Sequence, residues 1–346
     1  MEQIKKNWGI IVSFLLILSF LIYLVVDYNK KTNNLQEFSK NVFYMDTYIN
    51  IKIYTNDKDG ANKALEEADK IYKDYHELTD RYNIYEGIVN PYAISNSLLE
   101  SIERPQYREL DPRLYDLIKI GKEYHDKTNG LFNINMGHVI DVWKKYREKG
   151  ISIPTIEELK SAGSISINDV VLTDNEIQIN LYPNIDLGAI AKGHATQKVA
   201  DYLKEQGFDK FLINAGGNVI TGNHYNNGEY KIGIENPDDI GSIYQIIKGN
   251  NIVITTSGSY QRYYEFEGNR YHHIIDPNTL FPSNYFKSVT IINNDGTVGE
   301  VLSTTLFLMS IEQGLEFIKD YDAEAIWYTH DNIVIKTEGF SKYEYE

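Results

Sequence analysis

The chain has 346 residues and a formal net charge of −15, from 34 Lys+Arg against 49 Asp+Glu. A hydrophobic fraction of 42% suffices for a packed core, and the acidic balance argues against nucleic-acid binding, because phosphate recognition needs a basic footprint. With no Cys, disulfides, thiolate metal sites, iron–sulfur clusters, a Cys nucleophile and a cysteine-borne lipid anchor are all excluded.

Residues 8–26 read WGIIVSFLLILSFLIYLVV. At about 1.5 Å per residue, a helix of that length spans the roughly 30 Å hydrocarbon layer of a bilayer. The run is too long for an ordinary signal-peptide core and lacks a small-residue exit at VVDYNKK, so it reads as an uncleaved signal-anchor. A short N-terminus ahead and a large domain behind favour a single-pass protein of the cell membrane with its domain on the extracytoplasmic face. The expected organisation is an anchor over 1–30, a polar stalk over 31–42 and one domain over 43–340.

Next, Tyr48–Tyr54 alternates, with Ile49, Ile51 and Ile53 on one face, as in a half-buried strand. Helical spacing follows over 61–78. A second helix opens at Asp111-Pro112 and stops near Gly130, a third covers about 195–206, and a fourth runs from Glu300 to about Tyr321. Strand-like runs occupy 210–214, 230–235, 251–256, 270–275 and 288–292, with a terminal hairpin around His330-Asp331-Asn332. Helices and strands do not alternate strictly, so the pattern predicts α+β rather than a doubly wound parallel sheet.

Four stretches can carry chemistry. In Asp186-Leu187-Gly188-Ala189-Ile190-Ala191-Lys192-Gly193-His194, small residues and a helix start suit phosphate oxygens, and Lys192 adds charge. Alone, it reads as an ordinary strand-to-helix turn. The Gly-Gly pair of Asn214-Ala215-Gly216-Gly217-Asn218 reads first as a bend. His272 and His273 point to opposite faces of a strand, so they cannot share a metal, but either can act as a general base. Glu300 and Thr304 share the first turn of a helix, and with a backbone carbonyl they offer hard oxygen ligands suited to Mg²⁺; the plainer reading is a helix-start acid beside a packed Thr.

Taken in order, MDT at 45–47, TNGLFNINMG at 128–137, DLGAIAKGHA at 186–195, NAGGN at 214–218, TSGSYQRYYEFEG at 256–268, HIIDP at 273–277 and EVLSTTLF at 300–307 resemble the FAD:protein FMN transferases, the ApbE family. The likeness runs from about Met45 to Thr337, and YNIYEG at 82–87 looks like the family's Gram-positive branch. It implies an α+β, T-fold-related catalytic domain with a deep FAD cleft. The implied reaction is Mg²⁺-dependent: FMN passes from FAD to a Ser or Thr of an extracytoplasmic acceptor protein, forming a phosphodiester and releasing AMP.

By the family pattern, Met45, Tyr82, Leu131, Phe132, Asn133, Asp186, Lys192 and Ile275 line the FAD site. The Ala189 carbonyl, Glu300 and Thr304 hold the metal with Ser303 close by, and His273 assists deprotonation of the acceptor. Three departures stand out. Glu300 replaces the usual Asp, Asn133 replaces a common Asp, and a membrane helix stands where many relatives carry a lipid or a cleaved signal. The same residues also suit a metal-dependent FAD pyrophosphatase, and a tethered FAD-binding protein without chemistry is a further alternative.

Overall fold

Period-two burial sets the first hairpin. The computed structural model of the protein describes residues 16–23, 35–96 and 105–345. Strand β1 (Gln36–Tyr44) pairs antiparallel with β2 (Thr47–Thr55), whose Ile49, Ile51 and Ile53 are fully buried. The run expected to be a polar stalk is therefore, from Gln36, an edge strand. Phe38, Val42 and Tyr44 pack on the core at every second or fourth position, a signal that the intervening Ser39, Lys40 and Asn41 mask in the sequence.

Of the expected membrane span, only residues 16–23 are described; they form an exposed helical stretch, and residues 8–15 and 24–26 lie outside the described residues. Among the described residues, no helix is long and apolar enough to cross a membrane.

Helix α1 (Lys58–Thr79) is capped by Asp57 and buries Leu65, Ala68, Tyr72 and Tyr75. Then come α2 (Pro91–Ser95), β3 (Tyr107–Glu109), α3 (Pro112–Lys127), α4 (Gly137–Lys149), α5 (Ile156–Ser161), β4 (Leu172–Thr173), β5 (Glu176–Gln178) and α6 (Ala191–Glu205). Strands β6 (Phe211–Ala215), β7 (Asn218–Thr221), β8 (Tyr230–Glu235), β9 (Ile243–Gly249), β10 (Val253–Gly258), β11 (Tyr263–Phe266), β12 (Asn269–His272) and β13 (Phe286–Asn293) follow. The chain closes with α7 (Gly296–Phe307), α8 (Ile311–Phe317), β14 (Glu324–Thr329) and β15 (Val334–Lys336). The single helix expected from Glu300 to Tyr321 is two, because Ser310 and Gln313 form a capping box that starts α8.

The main sheet has the order β1-β2-β6-β7-β10-β13-β14-β15, with every neighbouring pair antiparallel. The fold is α+β, as expected. On one face, Ile51, Phe211, Ile213 and Val253 pack against Ala68 and Tyr72 of α1, Val199 of α6 and Val301 of α7. On the other, Val219, Ile254, Ile292 and Ile326 pack against Ile234 and Ile247 of the separate β8–β9 hairpin and against Phe340. The loops at one end of this sheet carry the chemistry.

Candidate active site

A cleft of about 580 Å³ opens where the β1–β2 turn, the segment after α1, the loop before α4, the turn into α6, the end of β10 and the start of α7 converge. Its size suits a small-molecule ligand. Although the chain is strongly acidic, Arg81, Lys144, Arg147, Lys192 and Arg262 line the cleft, against Asp46, Asp80, Asp186 and Glu300. The lining is thus close to charge balance, far less acidic than the chain as a whole, with Arg81, Lys192 and Arg262 paired to Asp186, Glu300 and Asp46.

Glu300 is buried in the cleft wall, 6% exposed. One carboxylate oxygen lies 2.7 Å from Lys192 Nζ; the other accepts bonds from Lys192 Nζ and from Asn218 Nδ2, each at 3.0 Å. This closeness depends on Gly193. A Cβ there would sit 2.3 Å from the Gly296 carbonyl oxygen and 2.6 Å from Glu300 Cβ, so only glycine lets α6 and α7 touch at this point. Gly193→Ala is expected to cost about 1–3 kcal/mol, as overpacking does, and to lower activity by displacing Glu300; urea unfolding and initial rates test this. An unchanged urea midpoint would show that the helices separate freely.

Thr304 and Ala189 line the cleft beside Glu300. A carboxylate, a hydroxyl and a carbonyl are hard donors, and the ammonium of Lys192 on both carboxylate oxygens shows that the position attracts a cation. The donor set fits Mg²⁺. Ser303, in contrast, is buried behind the cleft, where its hydroxyl donates to the Glu300 carbonyl at 3.0 Å and contacts Ser257 Oγ at 2.9 Å. One residue before Thr304 on the helix turns it inward, so it supports the wall instead of facing a ligand.

His273 faces the cleft with its Nδ1 buried and without a hydrogen-bond partner among the described residues. Burial first, then the positive charges of Arg262, His272 and Arg147, push its pKa down to about 3. The ring is therefore neutral at physiological pH. His272 turns the other way: its Nε2 lies 2.6 Å from the Ser283 carbonyl, and its Nδ1 accepts from Ile274 N.

His194 and His272 are likewise held neutral by burial, each pushed down to about 4. Their folded-state pKa lies below the unfolded value, so the unfolded chain binds more protons in acid. Stability is therefore full above about pH 6.5 and falls as pH drops toward 4, by up to about 3 kcal/mol per ring. The urea midpoint should be lower at pH 5 than at pH 7.5; equal midpoints would mean that neither ring is held neutral.

Every other residue expected from the family pattern reaches the cleft. Asp186 accepts from Gly188 N at 2.8 Å and faces Arg81 Nη1 at 3.4 Å. Sequence reasoning missed Arg81. Its side chain is 6% exposed and also bonds Asp141 and Asn184, tying the α1 exit to α4 and to the approach to α6. Tyr82 lies beneath two cations, with Arg81 Cζ 5.1 Å and Lys144 Nζ 3.7 Å from its ring centre. Arg81 directly precedes the flagged Tyr82, but its partners are far along the chain.

Asn133 donates to the Ile165 carbonyl and accepts from Asn135 N, so its side chain shapes the loop. Leu131, Phe132 and Ile275 supply apolar wall. Met45 and Asp46 form the β1–β2 turn with φ of 52° and 55°, a conformation rare for residues other than glycine, and Arg262 clasps Asp46 at 3.1 Å. Asn218 is the other residue the sequence left without a role: its amide bridges Glu300 and Thr255.

The model for the family described as ApbE matches residues 45–327. The chain belongs to the ApbE family. It is 28% identical over 305 residues to the FAD:protein FMN transferase of Klebsiella pneumoniae (strain 342), covering 86% of this chain and 91% of that one. It is also 32% identical over 225 residues to the FAD:protein FMN transferase of Vibrio cholerae, covering 62% of this chain and 65% of that one. The solved ApbE protein of Thermotoga maritima shares the fold, with a TM-score of 0.81 at 24% identity, covering 90% of this chain and 100% of that one. The flavin transferase ApbE of Vibrio cholerae superposes with a TM-score of 0.76 at 23% identity, covering 90% and 100%. Membership of the ApbE family, with such relatives, makes this chain a transferase enzyme.

Proposed function

We propose that this ApbE-family chain transfers FMN from FAD to a Ser or Thr hydroxyl of an extracytoplasmic acceptor protein, in a Mg²⁺-dependent reaction that releases AMP. One juxtaposition carries this reading: the buried Glu300–Lys192 pair and the His273 nitrogen that is unpartnered among the described residues line the same cleft. The apolar run at 8–26 supports tethering of the domain to the outer face of the cell membrane.

Phosphoryl transfer asks a protein mainly for positioning and charge neutralisation. Glu300, Thr304 and the Ala189 carbonyl would hold Mg²⁺, which when bound neutralises charge on the diphosphate. Lys192 and the first-turn N–H groups of α6, which Ile190 at the capping position leaves without a side-chain cap, bind phosphate oxygens. Tyr82, Leu131 and Ile275 offer the flavin an apolar and aromatic seat. His273 takes the proton from the acceptor hydroxyl as its oxygen attacks the FMN phosphorus. The bond from that phosphorus to the bridging oxygen breaks, and AMP leaves with the electron pair.

The test is intact-mass analysis of candidate acceptor domains incubated with enzyme, FAD and MgCl₂. A gain of one FMN per acceptor with matching AMP is expected, and none in EDTA. AMP release without a mass gain would instead indicate hydrolysis of FAD. Neither product would leave FAD binding alone.

A further inference from the structure

We propose that the acceptor protein docks by adding a strand to the outer edge of β8, in a groove that runs into the reaction cleft. This rests on the transferase reading above and says where its protein substrate lies. A second cavity, of about 340 Å³, lies between β8 and strands β6, β7 and β10 of the main sheet, beside the packing of Ile234 on Val219 and Ile254. Side chains alternate across a strand, so a groove touching only one face of β8 would be lined by every second residue. Instead all five residues from Lys231 to Glu235 line it, and none from β9 does. The groove therefore reaches the backbone edge of β8 that points away from β9.

That edge is open: among the described residues, the only strand partner of β8 is β9. Unpaired edge N–H and C=O groups are a template for an extended peptide, which gains main-chain bonds whatever its sequence. At about 3.3 Å per residue, the five-residue run offers roughly 16 Å of ladder. Gly233, at its middle, carries no side chain, and the Ile243 side chain of β9 fills the space a Cβ would take. The opposite wall includes the exposed Asn214 of β6.

Continuity with the cleft selects the occupant. Thr256 and Gln261 line both cavities, so a groove along β8 adjoins the cleft that His273 lines. A small ligand confined to the cleft has no need of a strand edge, whereas a protein bearing a reactive hydroxyl does need one segment held extended.

The test uses full-length enzyme and an acceptor domain that it flavinylates by intact mass. Asn214→Trp, which fills the groove from β6, should raise KM for the acceptor at least tenfold, with kcat and the FAD Kd (read by flavin fluorescence) changed less than twofold. Asn214→Ala leaves the groove open and should keep KM within twofold. In the unmodified enzyme, adding the acceptor should slow hydrogen exchange of the 231–235 amides at least fivefold. Unchanged KM in the Trp variant, or no protection of those amides, would overturn the docking surface while leaving the transferase reading intact. If the unmodified enzyme attaches no FMN to any acceptor, the transferase reading falls and the docking surface with it.

Discussion

His273→Gly is expected to lower the rate of FMN transfer by roughly 10²–10⁴ while FAD affinity stays within about threefold, the range general-base catalysis supplies. The ring faces the cleft, its Nδ1 has no partner among the described residues, and it bonds the Arg262 backbone, not another side chain. Its removal therefore takes away a proton acceptor more than a support. Because burial and neighbouring cations keep the ring neutral far into acid, the wild-type rate should not halve near pH 6.5, where an exposed histidine would titrate. Arg262→Gln removes one of those cations, favours protonation and should move the acid limb upward. A His273→Gly enzyme that transfers FMN at the full rate would falsify the assignment.

Glu300→Ala should abolish the rise in melting temperature produced by MgCl₂ and bring AMP release to background. It also strands Lys192, which is paired to Glu300 at 2.7 Å with only 17% of its side chain exposed. The amide of Asn218, wholly buried, loses its carboxylate as well. Breaking such a pair from one side should cost about 1–3 kcal/mol, less than for a fully enclosed pair because Lys192 can turn toward cleft water. Glu300→Asp, the residue usual in the family pattern, should restore Mg²⁺ dependence, since the carboxylate is kept and only its reach shortens. Mg²⁺ dependence that persists unchanged in Glu300→Ala would remove Glu300 from the ligand set.

What the sequence made legible followed from local patterns. Ile49, Ile51 and Ile53 alternate, and Asp111-Pro112 caps and starts α3, so both elements were readable. Helix α6 begins at Ala191, about four residues before its expected start, because no side chain caps it. Helix α4 was missed; it too lacks a capping side chain and opens on glycine. The first strand went unseen because its half-buried Phe38 and Val42 sit among polar neighbours and its partner is read only through the turn.

The same division holds in the cleft. Motif blocks announced Asp186, Lys192, His273, Glu300 and Thr304, each on a short segment with its own composition. Arg81 meets Asp141 60 positions away and Asn184 103 positions away, and Asn218 meets Glu300 82 positions away. Nothing within a window of sequence encodes such meetings. Ser303, which the family pattern puts close to the metal ligands, does lie close, bonded to the Glu300 carbonyl, but it does not itself line the cleft, because a helix sends neighbouring side chains in different directions.

The cleft draws on the first hairpin at Met45 and on α7 at Thr304, joined through strands from both halves of the chain. No fragment could keep half the pocket, so occupancy and global cooperativity are coupled. A nascent chain acquires its nucleotide grip only after nearly the whole domain has closed, and such long-range closure is slow. Saturating nucleotide at a hundredfold above its Kd would then add about 2.7 kcal/mol to the entire fold at once.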